Sequence, residues 1–306
     1  MQILVCPVFL LRVPCGKSFN HSNHSIIIML FQYKSFSIYY RVAGAGTPLV
    51  LLHGFGEDGE VWTNQVAALQ LNAMVIVLDI PGSGKSKIGK DDFTEENLRL
   101  LNTIEFYAEV VNALLEHLQI TTCLMLGHSL GGYITLAFAE KYPAKLKGFG
   151  LIHSTSFADS DEKKENRKRG IALMEEYGGY SFMKNSIPNL FTAAFKQNEH
   201  ERVDALIEKA TNFETKALQC YYRAMINRPD RTLVLKESKV PVLIIAGKQD
   251  IVVPLNDSLQ QAHQPSICHI HILNESAHMG MWEEPEKMNE AIKRLIEMVD
   301  NILTKN

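Results

Sequence analysis

Along most of the chain the apolar positions follow two alternating rhythms. From about Phe31, QYKSFSIYYRVAG alternates polar and apolar residues around β-branched and aromatic side chains, which predicts an antiparallel hairpin or edge pair. Short, mostly continuous apolar runs follow: LVLLHG (Leu49 to Gly54), MVIVLDI (Met74 to Ile80), CLMLGHS (Cys123 to Ser129), GFGLIHS (Gly148 to Ser154), VPVLIIAG (Val240 to Gly247) and CHIHIL (Cys268 to Leu273). Such runs mark strands buried on both faces. Between several of them lie helical patterns. TIEFYAEVVNALLEHLQI, for example, places Ile104, Tyr107, Ala108, Val111, Leu114, Leu115 and Leu118 on one face. Buried strands alternating with amphipathic helices predict an α/β protein whose mostly parallel central sheet carries helices on both faces.

Two stretches depart from the alternation. Between Ser154 and Val240 there is no strand pattern, only helical pieces, the charged run DSDEKKENRKRG and scattered aromatics such as Phe182 and Tyr222. This predicts a helical lid inserted at 155–239 between two core segments, 29–154 and 240–306, with the charge run on a solvated helix face. The other stretch is the amino terminus. Its apolar residues are interrupted by Pro7 and Arg12, no Lys or Arg precedes them, and no small-residue cleavage site follows. Residues 1–28 are therefore expected to be an extension, non-native or disordered, with the fold starting near Met29. No other segment approaches the roughly 20 apolar residues needed to span a bilayer.

Composition narrows the function classes. The formal charge of −3 offers no basic field for nucleic acid, and 46% hydrophobic with 21% charged residues are values of a water-soluble globular chain. The five cysteines are scattered, without a CxxC pair or the density of a disulfide scaffold, which suits reduced thiols in a cytoplasmic protein. Oligomeric state is left open.

The candidate chemistry centres on GHSLGG, Gly127 to Gly132. Ser129 ends an apolar run and precedes the helical pattern LGGYITLAFAEKY, so it sits on a strand-to-helix turn. In G-x-S-x-G such a turn is sharp enough to strain the serine backbone, and side chains at Gly127 or Gly131 would collide with the neighbouring strand and helix. The turn lifts Oγ clear at the carboxyl end of the sheet, where open α/β sheets bind ligands. His128, one residue earlier on the strand, should point the other way and is not the expected base. Two further strand ends each offer a partner: KQDIVVP presents Asp250, and ESAHMG presents His278. The order Ser, Asp, His differs from the other known triad arrangements.

Together LLHGFGE, LDIPGSGKS, LGHSLGG, AGKQDIVVP and ESAHMGMWEEPE make the chain, from Met29 onward, resemble the α/β-hydrolase superfamily. The resemblance implies Ser129 as nucleophile, Asp250 as acid and His278 as base. It also implies an oxyanion hole from the backbone N–H groups of Leu130 and Phe55. Phe55, Phe191, Phe195, Tyr221, Met279 and Trp282 are the residues expected to line a substrate pocket. Neither a metal nor a cofactor is expected.

Competing assignments are weaker. Asp79 precedes a Pro-Gly turn and His53 is placed to brace the Phe55 loop, so both read as structural; Asp257 lies in a helical pattern, PLNDSLQQA. The strand end LIHSTS offers no acid. Gly84-Lys85-Ser86 copies the end of a P-loop, but the glycine required five positions before Gly84 is Asp79. His269 and His271 share a strand face without a third ligand, and HERVD at His200 lacks the second histidine of a zinc motif.

A serine in the elbow argues against the epoxide hydrolase and haloalkane dehalogenase mechanisms of the superfamily, which use aspartate there, and leaves acyl transfer. A small or medium hydrophobic carboxylic ester is the expected substrate. Carbon–carbon bond hydrolases of the same fold are the alternative. Trp282 matches a tryptophan they carry, whereas Met279 and His128 depart from their pattern. Some proteins of this fold instead serve as small-molecule receptors with slow turnover, which fold and triad alone do not distinguish.

Overall fold

The computed structural model describes residues 26–303. The expected amino-terminal extension, with Cys6 and Cys15, otherwise lies outside the described residues; the first strand starts at Ile27, two positions ahead of the boundary expected at Met29.

Eight strands form one sheet: β1 (Ile27–Tyr33), β2 (Phe36–Ala43), β3 (Thr47–Leu52), β4 (Ala73–Leu78), β5 (Cys123–His128), β6 (Leu146–Ile152), β7 (Val242–Gly247) and β8 (Cys268–Leu273). Their spatial order is β1-β2-β4-β3-β5-β6-β7-β8. β1 and β2 form the expected antiparallel hairpin, turning at Lys34, and β2 runs antiparallel to β4. All later pairs are parallel, as the long crossovers between them require.

Every residue of β5 and β7 is buried, which demands cover on both faces of the sheet. Helices Ile104–His117 and Leu130–Lys141 pack together as one layer, and Thr63–Leu69 with Pro285–Leu303 form another. The face of Ile104–His117 identified by periodicity is the buried one: Ile104, Tyr107, Val111 and Leu115 are each at most 1% exposed. Burying each such side chain stabilises the fold by about 1.5–3 kcal/mol. At the sheet margins the protection fades, and β1 carries Ile27, Ile28 and Leu30 exposed.

No strand interrupts the chain between β6 and β7. Helices from Asp161–Tyr177 to Thr232–Glu237 fill that interval. The consequence for function lies in the strand order. The connection from β3 goes to β4 on one side, and the next passes to β5 on the other, so the carboxyl ends of β3 and β5 flank a crevice. In register, Leu52 sits beside Gly127, which puts the loop after β3 next to Ser129.

Candidate active site

Ser129 takes φ 50° and ψ −113°, a conformation that costs a non-glycine residue about 1–3 kcal/mol. Close packing imposes it. A Cβ on Gly127 would lie 2.1 Å from the Gly131 carbonyl group, and one on Gly131 would lie 2.4 Å from the Leu52 oxygen. The third glycine is equally constrained, since a Cβ on Gly132 would come within 2.2 Å of Ser154 Oγ. Ser129 N–H donates to the Ile152 carbonyl at 2.9 Å, and Ser154 Oγ donates to the Ser129 carbonyl at 2.7 Å. The elbow is thus pinned, at both the N–H and the carbonyl of Ser129, to the end of β6 and the residues just after it.

Asp250 follows β7 and is surrounded by donors. Its Oδ1 accepts from the N–H groups of Val252 (2.8 Å) and Val253 (2.9 Å), and its Oδ2 accepts from His278 Nδ1 at 2.8 Å and His153 Nδ1 at 3.2 Å. Burial alone would raise the Asp250 carboxyl, but the neighbouring histidines and these hydrogen bonds outweigh it and hold the group well below the usual carboxylate range. For His278 burial alone would favour the neutral ring, and the Asp250 carboxylate reverses this, raising the imidazole above its ordinary value. With Nδ1 donating to Asp250, Nε2 is the ring atom left to accept a proton. Ser129 and His278 line the same cavity of about 260 Å³.

The His278 loop is clamped by two carboxylates of the EEPE segment. Glu283 accepts from the N–H groups of Ala277 (2.8 Å), Met279 (3.3 Å) and Thr192 (2.8 Å), while Glu284 accepts from Glu275 N–H and Ser276 Oγ, both at 2.8 Å. Because His278 N–H also donates to the Leu190 carbonyl, at 2.9 Å, this loop is tied to the inserted helices at two points.

His128 is engaged elsewhere, as expected. Its Nε2 donates to the His278 carbonyl at 2.9 Å and its Nδ1 faces Glu57 Oε2 at 3.0 Å. A carbonyl can only accept, so Nε2 is the donor there, and Nδ1 is left to pair with the Glu57 carboxyl. Glu57 also accepts from Gly54 N–H at 2.8 Å, fixing the loop that carries Phe55. Burial pushes the Glu57 carboxyl up, but His128 and this N–H prevail and lower it. His53 braces the same loop: its Nδ1 donates to the Gly54 carbonyl and its Nε2 accepts from Ile80 N–H.

Two residues of this network escaped the sequence reading. Glu57 was visible only as part of a motif. His153 stands just after β6, at the strand end that offers no acid, and braces Asp250 from there. It is fully buried, its Nε2 has no partner among the described residues, and burial holds its imidazole down at about 4, so it donates as a neutral ring. The available signal was its position at a parallel strand end. Among the described residues, His153, Asp250 and His278 are the one group whose ligand atoms cluster tightly enough for a metal ion, within 4.8 Å. A metal at Asp250 Oδ2 would have to displace both N–H donors that now point at that oxygen.

The expected pocket residues need correction. Of the six, Phe55 lines the cavity with Ser129, and the other five are occupied in packing. Phe191 stacks on Phe195 (5.1 Å) and packs against Trp282 (5.9 Å), with Arg202 lying over the indole. Trp282 Nε1 donates to the Val61 carbonyl at 3.0 Å, the Tyr221 hydroxyl donates to the Pro81 carbonyl at 2.6 Å, and Met279 is fully buried. The apolar wall comes instead from Met183, Ile187, Leu190, Met225 and Val252 beside Phe55. The charge run is not wholly a solvated face: Lys163 and Arg167 reach the cavity, next to Asp159.

The other motifs resolve structurally. Asp79 fills the turn that mimics a P-loop, accepting from Gly59 and Lys85 N–H groups at 2.8 Å each. Asp257 lies on helix Leu255–Ala262, with Lys163 Nζ 3.9 Å away. His269 and His271 sit on the edge strand β8. A larger cavity of about 460 Å³, near Glu140, Arg231 and Lys239, includes none of the expected site residues.

Comparison with known proteins agrees with this architecture. A family model described as alpha/beta hydrolase fold matches residues 47–172. The chain is 28% identical over 258 residues to the dihydrolipoyllysine-residue acetyltransferase component of an acetoin cleaving system from Pseudomonas putida, covering 80% of this chain and 62% of that protein. It is 27% identical over 269 residues to a 2-hydroxy-6-oxo-6-phenylhexa-2,4-dienoate hydrolase from Comamonas testosteroni, covering 83% and 89%. Among solved structures, a thermophilic esterase from Thermogutta terrifontis superposes with a TM-score of 0.80 at 25% identity, covering 90% of this chain and 99% of that one. The chain has the α/β-hydrolase fold, and its residues 47–172 match that family's model. Its relatives include both esterases and hydrolases of 2-hydroxy-6-oxo acids. Among the described residues no helix is long and apolar enough to cross a membrane.

Proposed function

We propose that the protein is a serine hydrolase that cleaves small or medium carboxylic esters through an acyl-enzyme, with Ser129 as nucleophile, His278 as general base and Asp250 as its orienting acid. The observation that carries this reading is the strained Ser129 elbow opening into the same cavity as a His278 ring already held by Asp250 at 2.8 Å. Serine is a weak nucleophile at neutral pH, so His278 Nε2 takes the Oγ proton as Oγ attacks the ester carbonyl. The imidazolium so formed is stabilised by Asp250 and returns the proton to the departing alcohol. Water then repeats the sequence against the acyl-enzyme.

The backbone N–H groups of Leu130 and Phe55 supply the oxyanion hole in this reading. Leu130 opens its helix, so its N–H lies outside the intrahelical ladder. Each such donor is worth about 3 kcal/mol of barrier. Glu57, His128 and His53 support the second donor by fixing the loop through Gly54. The inserted helices act as a lid, and their apolar wall receives the acyl chain while excluding water.

Labelling with a fluorophosphonate probe followed by an ester chain-length profile tests the proposal. Label on Ser129 and rapid hydrolysis of short acyl esters support it. Intact folded protein that takes no label overturns it, and ligand binding with negligible turnover would favour a receptor.

The named Comamonas relative favours a second reading, cleavage of a carbon–carbon bond in a 2-hydroxy-6-oxo acid. Against it stands His128, whose ring is committed to Glu57 and the His278 carbonyl. Assay of such an acid beside the ester panel decides between the two.

A further inference from the structure

In the charged corner of the cavity wall one carboxylate serves two guanidinium groups. Arg167 Nε donates to Asp159 Oδ2 at 2.6 Å, and Arg228 Nη1 reaches Asp159 Oδ1 at 2.9 Å, so two guanidinium groups share one carboxylate. Arg228 is fully committed: buried, it also donates to the carbonyls of Met225 and Phe157, and it lies 3.9 Å from the centre of the Tyr133 ring. Arg167 is not. Its side chain is 19% exposed at the cavity, and among the described residues its two terminal nitrogens have no partner. The guanidinium lies over the Tyr222 ring, which orients its plane. Lys163 adds a second cation to the wall, its carboxylate neighbour Asp257 being 3.9 Å off. The cavity's other carboxylate, Glu57, is already paired with His128.

A partly enclosed guanidinium with unused terminal donors is best completed by an anionic acceptor. The planar fork of Arg matches a carboxylate with paired N–H donors. We propose that the substrate carries a free carboxylate in addition to the scissile group, received by the terminal nitrogens of Arg167 with Lys163 assisting. This rests on the serine hydrolase reading and sharpens it, replacing a purely hydrophobic substrate with a small amphipathic one. The cavity, about 260 Å³, is below the roughly 300–1,000 Å³ of drug-sized sites, so the acid is short.

The experiment uses matched pairs that differ only in charge: monomethyl succinate against methyl succinamate, with the carboxylate on the acyl half, and the butyryl ester of glycolate against that of glycolamide, with it on the alcohol half. Labelling of Ser129 comes first. In labelled wild-type protein, kcat/KM for one anion should exceed that of its amide by about 10- to 100-fold, mostly through KM, as expected of a hydrogen bond to a charged group. Arg167→Gln should erase that ratio, Arg167→Lys should keep part of it, and Lys163→Gln should lower it by roughly threefold, the modest effect of a partly exposed charge.

Equal turnover of acids and amides, or an Arg167→Gln variant that lowers both members of a pair alike, overturns the proposal and leaves the hydrolase reading standing. Absence of label overturns both. If Arg167→Gln fails to fold, the wild-type pairs and Lys163→Gln still decide it.

Discussion

The elbow around Ser129 and the roof formed by the inserted helices face the same cavity, yet they are built on opposite terms. In the elbow the constraints are mainly backbone: Gly127 and Gly131 leave no room for a Cβ beside neighbouring main chain, Gly132 leaves none beside Ser154, and the serine holds a positive φ between two hydrogen bonds to β6 and its extension. In the roof the constraints are side chains, such as Met183, Leu190 and Arg167, that change the shape and charge of the cavity without touching the sheet's ladder. The comparison teaches a division of labour. Rigid backbone fixes the proposed reacting atoms, and adaptable side chains shape what is presented to them.

Removing the proposed nucleophile should break the comparison most completely. Ser129→Ala is expected to lower kcat by roughly 10⁴- to 10⁶-fold with the thermal midpoint unchanged or raised, because the variant loses reactivity and gives up no packing; single-turnover assay and melting on the same sample check both.

Asp250→Asn should cost about 10⁴-fold in kcat by leaving His278 in the wrong tautomer. The pH profile supplies the sign. His278 acts as a base only when neutral, and Asp250 raises its imidazole above the ordinary 6.5, so kcat/KM should climb with pH through a limb above that value. In the asparagine variant that limb should move to lower pH. A limb that stays in place would show that Asp250 does not govern His278.

Gly131→Ala tests the backbone half of the contrast. Its Cβ would meet the Leu52 carbonyl oxygen at 2.4 Å, a contact no side-chain rotation relieves. A loss of about 3 kcal/mol, or roughly 5–10 °C in melting temperature, is expected. A smaller effect comes from His153→Gln, which removes one donor to Asp250 but leaves three: about 10-fold in kcat, read by steady-state kinetics on folded enzyme. The smallest belongs to the roof. Leu190→Ala trims one side chain from the cavity and should shift the preference from short toward longer acyl esters by roughly threefold, with stability nearly unchanged.

The fold and the three candidate residues at the strand ends were legible because the signals are local. Each buried strand announces itself as an apolar run, and Ser129, Asp250 and His278 each stand just beyond one. His153 occupies an equivalent place yet was passed over, because a histidine gives no sign of its partner until β6 and β7 lie side by side. The pocket was misread for a related reason. Aromaticity in the insertion was taken as substrate contact, while Phe191, Phe195 and Trp282 bury one another, and Tyr221 is held by Pro81 and Ser83.

By itself the sequence determined the alternation of strands and helices, the strained serine turn, and the chain order of the residues at the strand ends, all of which follow from periodicity and steric demands within a few neighbouring residues. Tertiary structure alone decided that His153 and His278 flank one carboxylate, that Glu57 meets His128, and that Arg167 turns inward from a run of charges. Those pairings join residues 28 to 97 positions apart, or set a side chain's direction by its packing, and no local preference encodes either.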